Sequence, residues 1–180
     1  NKKIEKNIVI NEASIDSRKI KKNNIFFGIK GKNFDGNKFV NQAFKNGASI
    51  SINKNKTKNN IKKEIYSKNP LRTFSEIATM VRASSNISSI AITGSSGKTS
   101  LKEMLGQTMR KICRISYSKK SFNNKYGVPI SLFNINKESK IGIFEVGMDK
   151  KGEIDFLTKK IMPDVGVITN ISYAHIKNFQ

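Results

Sequence analysis

The sequence predicts an α/β protein in two parts: a small mixed α/β unit over residues 1–70, and a larger unit over residues 71–180 built on a mainly parallel sheet. Two observations lead there. From residue 74 onward, apolar runs of strand length alternate with amphipathic segments of helix length, the pattern of a parallel sheet with helices packed on its faces. Near the end of the first part lies a Lys/Asn-rich stretch, residues 53–63, and Pro70 follows it as the expected hinge between the two.

In the first part, residues 25–29 read as a strand and residues 31–36 as a glycine-bounded turn. Residues 38–45 place Phe39, Val40, Ala43 and Phe44 at helical spacing, Gly47 stops that helix, and residues 48–52 return as a strand. Residues 53–63 read as a solvated loop leading into a short helix. In the second part, residues 74–83 form a helix with Phe74, Ile77, Ala78 and Val81 on one side, and residues 87–93 a strand. The next helix, 99–111, is expected to turn Leu101, Met104, Leu105 and Met109 inward. A polar loop over 116–126 precedes a helical run at 128–133. A strand at 141–146, a helix at 153–160 and a strand at 165–170 complete the rhythm. Such sheets bind ligands beyond the carboxyl ends of their strands.

Composition narrows the function. The longest apolar runs, such as Ile141-Gly142-Ile143-Phe144, are far too short to span a bilayer, so membrane insertion is not expected. Cys113 is the only cysteine, which excludes a disulfide framework and a zinc site built from several thiolates. Lys2, Lys3, Glu5 and Lys6 interrupt any apolar leader, so the expected compartment is the cytoplasm. The net charge of +21 comes from 29 Lys against 5 Arg. The lysines are spread along the chain, arginine is scarce, and Lys, Ile and Asn all have A/T-rich codons. No specific nucleic-acid partner is expected, although polyanions will be attracted at low salt.

The chemistry centres on Thr93-Gly94-Ser95-Ser96-Gly97-Lys98-Thr99, which joins a strand to a helix. Glycines let the backbone fold so that successive N–H groups face an anion, and the helix N-terminus adds partial positive charge. Lys98 can reach the β- and γ-phosphates of ATP or GTP, and the Thr99 hydroxyl can ligate Mg²⁺. The loop is a shortened form. Ile92 stands where the usual first glycine would be, so Gly94 takes the turn. Glu145 ends a strand at the sheet edge and offers a hard oxygen ligand. His175, the only histidine, could ligate a second metal ion, although a lone histidine is more often structural. Asn123 and Asn124 could donate to a phosphate or acyl oxygen, or simply make turns; spacing does not decide between these.

At this point the motifs resemble a family. The string from Thr93 to Ser100 resembles the ATP loop of the Mur ligases, which build the peptidoglycan stem peptide. Lys102-Glu103-Met104, Asn123-Asn124 with Gly127-Val128-Pro129, and Glu145-Val146-Gly147-Met148 with Gly152-Glu153-Ile154 resemble the branch that adds D-alanyl-D-alanine. Asn170-Ile171 and Ala174-His175 are similar as well. Upstream, Asp16-Ser17-Arg18, Phe26-Phe27 and the turn from Gly31 to Gly36 resemble the N-terminal domain that holds the UDP-sugar.

The resemblance implies a UDP-substrate domain followed by a P-loop ATPase domain. It also implies an ATP- and Mg²⁺-dependent ligase acting on UDP-N-acetylmuramoyl-tripeptide and D-alanyl-D-alanine through an acyl phosphate, and a monomer. Thr93, Gly94, Ser95, Ser96, Gly97, Lys98, Thr99 and Ser100 would hold ATP. Thr99, Glu145 and His175 would hold metal. Lys98, Asn123, Asn124 and His175 would be catalytic. Ser17, Arg18, Lys32, Asn33 and Phe34 would bind the UDP moiety, although Asp16-Ser17-Arg18 could equally be a turn with a surface ion pair. Family members continue beyond position 180 through the rest of the ATPase domain and a third domain, so these residues alone are expected to form an incomplete ATPase domain, inactive in ligation. Two alternatives remain: a sister enzyme (the Mur ligase adding the third residue, or folylpolyglutamate synthase), which the Ser95-Ser96 pair disfavours, and a basic nucleic-acid-binding module.

Overall fold

The structure, a computed structural model, describes residues 8–55 and 63–173. The chain divides into two compact units, Asn1–Glu76 and Ile77–Gln180. Each has its own four-stranded sheet, parallel in every described pairing.

The first sheet has the order β1 (Ala13–Ser14), β2 (Asn24–Gly28), β3 (Ala48–Asn53), β4 (Glu64–Tyr66). Successive side chains of a strand point to opposite faces, so a strand buried on both sides reads as an unbroken apolar run. Phe26 and Phe27 of β2 show this, since both are fully buried. Phe26 joins Ile20, Val40, Ala43 and Ala48 beneath helix α1 (Val40–Lys45), while Phe27 meets the Phe74 ring at 4.4 Å. A 3₁₀ turn, Gly36–Phe39, leads into α1. Pro70 opens helix α2 (Pro70–Ala83), where its missing N–H costs no helical hydrogen bond. The short helix expected after the Lys/Asn-rich loop has no counterpart in the described part of that stretch. Residues 56–62 lie outside the described residues, and β4 follows.

The second sheet has the order β6 (Ile115–Tyr117), β7 (Ile141–Glu145), β5 (Ser88–Thr93), β8 (Val165–Ile168). Ala91 and Phe144 pack with Ala78 of α2, with Val128 and Leu132 of α4 (Gly127–Phe133), and with Leu157 and Ile161 of α5 (Glu153–Ile161). Helix α3 (Lys98–Met109) lies against β5, β6 and β7. Here the apolar reading fails in part. Met104 is 66% exposed, and the row facing the sheet is Lys102 and Gly106, both buried. Gly106 faces Ile115 and Tyr117, and Lys102 is tolerated inside because a carboxylate awaits it. The expected polar loop over 116–126 begins later than predicted, since β6 occupies its first residues. The last strand ends at Ile168 and gives way to a loop that braces the site.

Arg82, in the last turn of α2, is almost wholly buried. Its Nε donates to the Ile161 carbonyl at 2.7 Å, and Nη2 to the Met162 carbonyl at 3.0 Å and Ser89 Oγ at 2.6 Å. The guanidinium thus satisfies carbonyls at the end of α5, where a cation also suits the helix dipole. Ser89 donates its backbone N–H and hydroxyl to Asp164, and these bonds hold that carboxyl below its ordinary range. Arg82→Ala should lower unfolding stability by roughly 3 kcal/mol, seen as a lower urea midpoint at unchanged slope. Arg82→Lys should recover less than half, because an ammonium cannot reproduce the fork. A loss under about 1 kcal/mol would remove Arg82 from this role.

Candidate nucleotide and metal site

The carboxyl ends of β5 and β7 carry the site. After Thr93 the chain turns through Gly94 at φ +136 and enters α3 through Gly97 at φ +77. Ile92 is fully buried within β5, so the position of the usual first glycine is a core residue and the tight turn falls to Gly94. A Cβ on Gly94 would stand 2.1 Å from Thr169 Oγ1 and 3.0 Å from the Asn170 backbone, which glycine alone avoids.

The segment after β8 is clamped onto this loop. Thr169 Oγ1 donates to the Ser96 carbonyl at 2.6 Å. The Asn170 carbonyl accepts from Ser95 N–H at 3.0 Å, its Oδ1 from Ser96 N–H at 2.9 Å, and its Nδ2 donates to Ser96 Oγ at 2.8 Å. Ser172 N–H donates to Ser95 Oγ at 2.8 Å. In this structure Asn170 thus accepts from both serine amides of the loop. The first-turn N–H groups of α3, which have no acceptor within the helix, are the donors that remain for a phosphate. Lys98 folds over the loop and donates to the Gly94 carbonyl at 2.5 Å. Ser100 is exposed on α3.

Glu145, at the end of β7, is 1% exposed and gathers the other polar groups. Its Oε2 accepts from Thr99 Oγ1 at 2.9 Å and its Oε1 from Asn123 Nδ2 at 2.8 Å. Ser118 Oγ accepts from Glu145 N–H at 3.3 Å, and Lys102 Nζ lies 3.6 Å from Oε2. Asn123 is held in turn by Gly147, whose N–H donates to its carbonyl at 2.7 Å. A hydroxyl that gives its proton to a carboxylate keeps its lone pairs for a cation. Thr99 and Glu145 together are therefore a hard oxygen pair suited to Mg²⁺, which needs few protein ligands when phosphates and water complete its shell. Among the described residues no group of three or more His, Cys, Asp or Glu could cage a metal without such help.

The structure brings Lys98, Thr99, Asn123 and Glu145 to the carboxyl ends of β5 and β7 and leaves Asn124 out. The Asn124 Oδ1 accepts from Tyr126 N–H and Gly127 N–H at 3.0 Å each, a turn that starts α4. His175 lies outside the described residues. In the first unit, Ser17 is buried and its carbonyl accepts from Asn46 Nδ2 at 2.8 Å. Arg18 forks onto Asp16 at 3.0 and 2.9 Å, and that hydrogen bonding holds the Asp16 carboxyl below its usual range. Lys32, Asn33 and Phe34 are exposed on a turn closed by the Gly31 N–H to the Phe34 carbonyl at 2.7 Å. Sequence reasoning assigned no role to Lys102, Ser118, Thr169 or Asn170. Lys102 had a signal: it stands three residues after Thr99, on the same helix face.

A parallel α/β sheet that presents a glycine turn, an ammonium, a hydroxyl and a strand-end carboxylate at one end is a phosphate-loop protein. Residues 9–111 match the Mur ligase family, catalytic domain, and residues 92–180 the Mur ligase middle domain. A UDP-N-acetylmuramoyl-tripeptide–D-alanyl-D-alanine ligase of Buchnera aphidicola subsp. Baizongia pistaciae is 36% identical over 174 residues, 96% of this chain and 38% of that protein. MurF from Acinetobacter baumannii superposes with a TM-score of 0.85 at 32% identity, over 94% of this chain and 38% of its own. MurF ligase from Thermotoga maritima, solved in complex with ADP, gives 0.81 at 29% identity, over 95% and 40%. The chain belongs to the Mur ligase family. It spans well under half the length of these relatives.

Proposed function

We propose that this chain supplies the UDP-substrate domain and the phosphate-binding part of an ATP-dependent ligase, which joins D-alanyl-D-alanine to UDP-N-acetylmuramoyl-tripeptide in the cytoplasm, as a monomer. The observation that carries the reading is the convergence of Lys98, Thr99, Asn123 and Glu145 at one end of the sheet, in a chain related to UDP-N-acetylmuramoyl-tripeptide–D-alanyl-D-alanine ligases. In this reaction a carboxylate oxygen of the tripeptide attacks the γ-phosphorus and ADP departs. The dipeptide amine then attacks the acyl carbon, loses a proton, and phosphate leaves with the C–O bond electrons.

Each residue has a task in that sequence. Lys98 and the first-turn amides of α3 balance charge on the transferring phosphoryl oxygens. Thr99 and Glu145 hold Mg²⁺, which when bound neutralises the β- and γ-phosphates. Asn123 fixes the rotamer of Glu145. His175 is proposed as a second metal ligand, and Ser17 with the turn at Lys32, Asn33 and Phe34 as the UDP contact. Arg18, already forked onto Asp16, is the weakest of that set. No helix among the described residues is long and apolar enough to cross a membrane.

The test is phosphate release by the complete gene product with ATP, Mg²⁺ and the UDP-linked tripeptide. Release that requires D-alanyl-D-alanine is the expected result. Release only with a diamino acid and the shorter UDP-linked precursor would transfer the protein to the sister ligase. No release with any pairing would overturn the reading.

A further inference from the structure

Lys102 is among the least expected residues in the molecule. Lysine is almost never fully buried unless paired, yet this side chain has no exposed surface. Its ammonium donates to the Lys120 carbonyl and lies 3.2 Å from Glu103 Oε1 and 3.6 Å from Glu145 Oε2. The Glu145 oxygen is the one that also accepts from Thr99. Glu103 is partly exposed and needs no internal partner, whereas Glu145 is 1% exposed. A carboxylate at that depth is costly without a neighbouring positive charge.

We propose that Lys102 is a positioning residue: the internal counter-ion that holds the Glu145 side chain turned toward Thr99 before any metal arrives. The inference rests on the metal-site reading of Thr99 and Glu145 and deepens it. Glu145 faces two positive partners in turn. Lys102 holds it from the helix side at all times, and a divalent cation adds to that on the loop side. The bond to the Lys120 carbonyl gives Lys102 a second effect, because Lys120 belongs to the segment that delivers Asn123 to the other carboxylate oxygen. One ammonium therefore braces both sides of Glu145. The consequence is that the resting fold does not depend on metal, and that removing the ammonium should make it so.

The experiment compares thermal unfolding of the protein and its Lys102→Met, Glu145→Gln and Lys102→Met/Glu145→Gln variants, in chelator and in millimolar Mg²⁺. In chelator, Lys102→Met should lower Tm by about 10 °C, because a buried carboxylate loses its counter-charge and keeps only the hydrogen bonds from Thr99 and Asn123. The double variant, with both charges gone, should recover at least half of that loss. Mg²⁺ should raise Tm of Lys102→Met by several degrees, raise that of the parent less, and leave the double variant unmoved. A double variant as unstable as Lys102→Met would overturn the proposal, leaving Lys102 as a tether for Lys120 alone. Recovery in the double variant with no response to Mg²⁺ anywhere would uphold the counter-ion and instead remove Glu145 from the metal site.

Discussion

Lys98→Ala should reduce ATP-dependent phosphate release by the complete gene product by about 10³-fold, the scale seen when a preorganised charge on a transferring group is lost. The ammonium lies directly over the loop, 2.5 Å from the Gly94 carbonyl and 3.4 Å from that of Ser95. It is attached one residue beyond Gly97, at the positive end of α3. No other side chain from Thr93 to Thr99 carries charge, and the Lys102 ammonium is already engaged by Glu145 and the Lys120 carbonyl. Stability should change little, because Lys98 is only partly buried and its partners are carbonyls at a solvated rim. Circular dichroism melting separates the two effects. A Tm within about 3 °C of the parent, with release nearly abolished, places the loss in the chemistry. A fall in release of less than tenfold would take the lysine out of phosphoryl transfer.

Gly94→Ala should be the most damaging single methyl at the site. Two costs coincide there. The φ of +136 is one that L side chains rarely adopt, and the added Cβ would overlap Thr169 Oγ1 at 2.1 Å. Thr169 cannot simply swing aside, because its hydroxyl bonds the Ser96 and Thr93 carbonyls and its backbone N–H bonds Thr93. Relief requires opening the clamp formed by Thr169, Asn170 and Ser172. We expect a stability loss of roughly 3 kcal/mol and at least tenfold weaker nucleotide binding by calorimetric titration. Gly152→Ala supplies the contrast. Its φ is +84 but nothing lies within 4 Å, so it should cost only about 1 kcal/mol and leave nucleotide affinity unchanged. Equal losses at the two positions would show that dihedral strain, and not the clamp, governs Gly94.

Much of this site was readable before any coordinates. Gly94, Gly97, Lys98 and Thr99 are contiguous, and a turn followed by a helix N-terminus is local geometry that short spacing encodes. Glu145 was readable for a related reason: an acid after four apolar strand residues must emerge at the strand end. The longer elements were legible because each repeats its apolar period often enough to be recognised. Strands β1, β4 and β6 have two or three residues each, too few for alternation to register. The paired asparagines show the limit more sharply. Asn123 and Asn124 are the same residue type side by side, yet one reaches Glu145 and the other starts a helix.

The alternation of elements, the parallel sheet and the phosphate loop thus follow from the order of residues, because each depends on neighbours a few positions apart. Three features came only with the tertiary structure: Lys102 turned inward while Met104 faces water, Asn170 occupying two amides of the loop, and Asn123 set against Glu145. The physical reason is common to all three. Whether a buried charge, amide or carboxylate is tolerated depends on the partner brought to within about 3 Å of it, and that partner comes from a distant part of the chain.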